Sequence, residues 1–137
     1  MVVIHQFFPL FILLHGGHDM SEKNEVAHCL EQAHAHEDIV SAINQVAATA
    51  FGFFEAKRAT IVAGCKKKTL GMNGQALSTA KERESQALLD LSRALKACNF
   101  LLKERGFDTL GPDTEDLRRI GDWATKLVFS YIRKRAL

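Results

Sequence analysis

Proline is scarce in this chain. Only Pro9 and Pro112 occur among 137 residues, so nothing between them has to break a helix. Glycine is sparse as well, at nine residues. A chain with so few turn formers is neither collagen-like nor low-complexity, and it lacks the turn chemistry of an all-β sandwich. The three cysteines, Cys29, Cys65 and Cys98, are odd in number, widely spaced and without any C-x-x-C, which excludes a small disulfide scaffold. They read as reduced, partly buried thiols of a reducing compartment. Strand-like alternation, internal repeats and sustained heptads are all missing. What the chain does have is alanine and leucine, together 33 of the 137 residues, with 47% hydrophobic and 25% charged residues overall.

Met1–Asp19 stand apart from the rest. Their apolar stretch, Val2–Ile4 and Phe7–Leu14, is interrupted at His5, Gln6 and Pro9, and it falls short of the ~20 apolar residues that a membrane span needs. No Lys or Arg precedes it and no A-x-A-like site follows it, unlike a secretory signal. If Gly16-Gly17 is encoded GGA-GGT, a ribosome-binding sequence lies just upstream of Met20. We therefore expect residues 1–19 to be a non-core extension, an upstream over-extension of a start at Met20. A packed or interfacial arm and a signal or anchor are the alternatives. Residues 20–137 then form one domain.

Helical periodicity organises that domain. Ser21 and Asn24 are N-cap candidates, and Val26, Cys29, Leu30 and Ala33 follow i, i+3, i+4, i+7. A new phase begins at Ile39 and continues through Ile43, Val46, Ala50 and Phe53, which predicts a break near 35–38, with one continuous bent helix as the alternative. The second helix is expected over about 38–69, with Gly52 marking a close helix contact and Thr69–Gly74 forming a loop. The third spans Gln75–Arg105 on a stripe through Leu77, Ala80, Ala87, Leu88, Leu91, Leu95, Cys98 and Leu102. The Thr79-x-x-Glu82 capping box offers a later start, and Arg105-Gly106-Phe107 reads as a stop. A fourth helix, opened by Pro112 with acids in its first turn, buries Leu117, Ile120, Ala124, Leu127, Val128 and Tyr131. The fold class is all-α, an up-down helical bundle of about four helices, the first short.

Chemistry-bearing patterns are few. All six histidines lie within residues 1–36. Glu25-Val-Ala-His28 and Glu31-Gln-Ala-His34 match the E-x-x-H of di-iron bundles, but no second helix supplies the matching pair. His28, Gln32 and His36 share a face at i, i+4, i+8 if one helix carries them, a candidate mononuclear zinc or nickel site. The plainer reading is solvated histidines. No serine sits in a G-x-S-x-G context, and adjacent His28 and Cys29 do not face one another on a helix. Gly64–Thr69 lacks the upstream glycine and the strand of a phosphate loop. No catalytic residue and no cofactor are assigned.

Charge is unevenly spread. Residues 1–55 carry one Lys and seven acids, and residues 56–137 carry seventeen Lys/Arg and nine acids. Lys66, Lys67 and Lys68 close the second helix, and Arg133, Lys134 and Arg135 close the fourth. Cations at helix C-termini complement the dipole. Up-down topology would also gather both runs, with Lys81 and Arg83, into one basic pole suited to a phosphate-bearing partner. The leading expectation is a non-enzymatic interaction module (adaptor, regulator or inhibitor) with a protein partner, in the bacterial cytoplasm and not on a membrane. A nucleic-acid-binding accessory protein using the basic pole is the alternative, and a metal-binding bundle is third. Phe51, Phe54 and Trp123 belong either at a homodimer face or inside the monomer.

Overall fold

The computed structural model describes residues 25–71 and 74–136, with the backbone alone for 134–136. Expectations placed on residues 1–19, and on the Ser21 and Asn24 caps, lie outside the described residues. Four helices follow in order: α1 Glu25–Gln32, α2 Glu37–Leu70, α3 Gln75–Glu104 and α4 Leu117–Ala136. The chain is an all-α bundle.

The break between α1 and α2 falls where the apolar phase changes. His36 takes extended backbone (φ −116°, ψ 93°) at the N-cap of α2, and the turn is closed by His36 N–H donating to Ala33 O at 2.8 Å. At its other end α2 stops on Gly71, whose φ of 65° is the left-handed value that favours glycine. The α3 stop forms as its sequence predicts. Phe107 N–H donates to Leu102 O (2.9 Å) and Gly106 N–H to Lys103 O (3.1 Å), with Gly106 at φ 73°, the paired bonds of a Schellman motif.

The third helix begins at Gln75, as its stripe predicts, and the alternative start at the Thr79 capping box lies inside it. Two expectations are corrected. The fourth helix begins at Leu117, well past Pro112, and has no acid in its first turn. Its acids do other work: Asp113 and Glu115 pair with Lys103 and Lys96 of α3 at 3.3 and 2.8 Å. Asp116 Oδ1 accepts from Arg118 N–H at 3.0 Å and caps the helix. Gly52 marks no close contact, since a Cβ there would meet nothing within 4 Å. Close approach belongs to Gly121, where a Cβ would lie 3.2 Å from Phe53 Cζ. Gly52→Ala should therefore stabilise the protein by about 0.5–1 kcal/mol through helix propensity, read as a raised urea midpoint. Gly121→Ala should raise it less, because the buried Phe53 ring has to give way to the new methyl.

The core occupies one end of the molecule. Ile39, Ile43, Val46, Ala50 and Phe53 of α2 pack with Leu91, Leu95, Cys98 and Leu102 of α3, with Cys29 and Leu30 of α1, and with Ile120 and Ala124 of α4. The segment between α3 and α4 folds back over this core, and Leu110 is fully buried on it. Asn99 is the one buried polar residue among those described. Its amide donates to Leu110 O (2.9 Å) and its carbonyl accepts from Leu110 N–H (2.8 Å). Beyond Phe54 on α2 and before Leu91 on α3, Ala80 alone is buried. The far half of the α2–α3 hairpin is thus a two-helix arm with a thin seam, along which Gly64 faces Leu77.

Helix α2 is also the one described helix long and apolar enough to cross a membrane by length and composition. Its buried residues, Ile39 through Phe54, are the ones that build the core.

Candidate interaction surface

The histidine region is a clasp for the α3–α4 segment. His28 Nε2 lies 2.9 Å from Asp108 Oδ2. Gln32 donates to Asp108 O at 2.9 Å and accepts from Asp108 N–H at 3.2 Å, and Glu25 accepts from Gly111 N–H at 2.9 Å. The face shared by His28, Gln32 and His36 is not formed, because α1 ends at Gln32. His36 instead accepts from Arg105 (3.2 Å) and meets Phe107 edge-on at 5.4 Å. No three His, Cys, Asp or Glu residues converge as a metal cluster among the described residues.

The thiols divide by position. Cys29 and Cys98 are fully buried and Cys65 is exposed. Burial, then the Glu25 carboxylate, pushes Cys29 from the ordinary 9.0 up to about 11. Burial, then neighbouring Cys29, pushes Cys98 up to about 12. His28 points outward to Asp108 while Cys29 points inward, so no Cys–His pair exists here. A thiol reagent should modify Cys65 rapidly in the native protein, and Cys29 and Cys98 only on unfolding; prompt modification of all three would contradict this burial. Both buried thiols hold their protons more tightly folded than unfolded. Their contribution is intact below pH 9.0 and is lost as the pH rises through 11 and 12. In that window each removes about 1.4 kcal/mol of stability per pH unit, a decline that urea unfolding at stepped pH measures.

The cations do not all meet. Lys66, Lys67 and Lys68 lie at the end of α2, and Lys81 and Arg83 on the early turns of α3, all on the arm. Arg133 lies elsewhere. Phe53 faces Gly121, Phe54 meets Phe129 edge-on at 5.3 Å, and Phe51 meets Tyr131 at 5.4 Å. The α4 residues from 121 to 131 therefore stay level with one short stretch of α2, and α4 crosses that helix rather than running beside it. At 1.5 Å per residue, Lys66 stands roughly 18 Å beyond this crossing. The expected single pole is replaced by a basic arm, with Arg133 at the crossing. The side chains of Lys134 and Arg135 lie outside the described residues. The same contacts pack Phe51 and Phe54 within the chain, and Trp123 packs against Gly111, the second of the two placements open to them from sequence.

The arm itself is the candidate surface. Residues 56–81 contain six Lys/Arg and no Asp or Glu. Lys66, Lys67 and Lys68 make no ion pair among the described residues, whereas Arg58 holds Glu55 at 3.4 Å. Between these cations Ile61 is 58% exposed and Val62 48%. The lysine run is legible from residue order but the exposed apolar face beside it is not, because periodicity does not reveal how many helices cover a stripe. Compared with known proteins, the chain matches no family model, no curated protein and no solved structure.

Proposed function

We propose that this chain is a small non-enzymatic interaction module of the cytoplasm, an adaptor, regulator or inhibitor that binds a protein partner through the outer face of the α2–α3 arm. The observation that supports this reading is the exposure of Ile61 and Val62 on a helix whose other half is core. Each large aliphatic side chain left in water forgoes about 1.5–3 kcal/mol of burial, and no described residue covers either of them. Cations flank them, so the surface couples an apolar contact with steering by charge.

Nucleic-acid binding is the second reading, favoured by the acid-free run of cations from Lys57 to Lys81. Capture from the native host separates the two. The chain should retain a protein that survives nuclease treatment, and Ile61→Glu should lose it, while Phe100→Glu, at an equally exposed apolar site on α3 (62%), should keep it. Retention that vanishes with nuclease and is indifferent to Ile61→Glu would refute the protein-partner reading.

A further inference from the structure

We propose that the groove along the outer face of the α2 arm receives one acidic amphipathic helix of a partner protein. This inference rests on the interaction-module reading and names the chemistry of its ligand. The groove encloses about 410 Å³. Its floor is Ala59, Val62 and Ala63, at i, i+3, i+4 on α2, with Ala76 of α3 at the tip end. Three alanines and a valine offer no bulk that would hold another helix away, so axes can approach to the roughly 8–10 Å of ordinary helix packing. From Glu55 to Lys67 the groove runs roughly 18 Å, about three turns of a bound helix.

The floor and the rim together select the occupant. A phosphate backbone would match the rim but waste the floor, which has no polar group for base edges and no ring for stacking. A purely apolar helix would match the floor and leave Lys66 and Lys67 unanswered. Both lysines are without ion pairs among the described residues, while Arg58 at the core end is already answered by Glu55. The uncompensated positive charge is therefore concentrated toward the tip. A helix with an apolar stripe for Val62 and carboxylates at one end, facing Lys66 and Lys67, satisfies both.

Fluorescence anisotropy with the full chain tests this directly. The probes are a stapled amphipathic helix of Ala, Leu and Glu, the same helix with every Glu replaced by Lys, and a short random DNA duplex. The Glu helix should bind at least about tenfold more tightly than the Lys helix, in a salt-dependent manner. Val62→Glu should weaken it by about tenfold or more, since an apolar contact at the centre of an interface carries most of its energy. The double change Lys66→Gln, Lys67→Gln should weaken it several-fold and flatten the salt dependence. Val62 is half exposed, so an unchanged thermal melt certifies that the variant folds. No binding of the Glu helix, equal binding of the two helices, full affinity in Val62→Glu, or displacement by the duplex would each overturn the proposal. So would sedimentation showing the groove filled by a second copy of this chain. In any of these cases the capture experiment with Ile61→Glu still reads the interaction-module proposal independently.

Discussion

Asn99→Leu should destabilise the protein by about 2–4 kcal/mol, although leucine is the larger and more apolar side chain. The Asn99 amide satisfies both the N–H and the C=O of Leu110, at 2.8 and 2.9 Å, and Leu110 is fully buried. Leucine at 99 strands two backbone groups away from water, and each buried unsatisfied group costs about 1–3 kcal/mol. Asn99→Asp should also fail, since one of its carboxylate oxygens would then face the Leu110 carbonyl without a donor. Chemical denaturation of the three proteins gives the comparison. A loss below about 0.5 kcal/mol for Asn99→Leu would mean that the α3–α4 segment is held without this clasp.

The second large effect is positional. Leu91→Ala should cost about 2–5 kcal/mol, because Leu91 is fully buried among α2, α3 and α4 and its removal leaves a cavity. Leu89→Ala, two residues away but 37% exposed, should cost less than about 1 kcal/mol. The contrast separates the core-facing side of α3 from its solvent-facing side. Equal losses at the two positions would contradict the exposure of Leu89.

Much of this architecture is legible in the residues. The phase change between Ala33 and Ile39 marks the α1–α2 break, because a helix cannot keep both stripes on one face. Gly106 followed by Phe107 marks the α3 stop through left-handed backbone and an apolar anchor. The start of α4 misleads, because Pro112 followed by acids has the chemistry of a first helical turn, yet Asp113 and Glu115 have α3 lysines within reach. Asn99 was visible in principle: it continues the i+4 series Leu91, Leu95, Asn99, so it had to be buried and therefore paired. Its partner, eleven residues on in an irregular segment, follows from no local pattern. The candidate surface is half legible. Lys66–Lys68 announces charge, but the bare flank at Ile61 and Val62 depends on α4 crossing α2 near Phe54 instead of following it, and that is a tertiary choice.

Hydrogen exchange along the α2–α3 hairpin bears most directly on the division into a packed core and a free arm. Amides are hydrogen-bonded throughout both helices, so protection differs only through what packs on them. Those of residues 57–70 and 76–88, with few buried contacts, should exchange by local opening well below the free energy of global unfolding. Those of 41–54 and 93–102 should exchange only near the global limit. Uniform, core-like protection out to Leu70 and Gln75 in the isolated chain would contradict a free arm and, with it, the surface on which partner binding is placed.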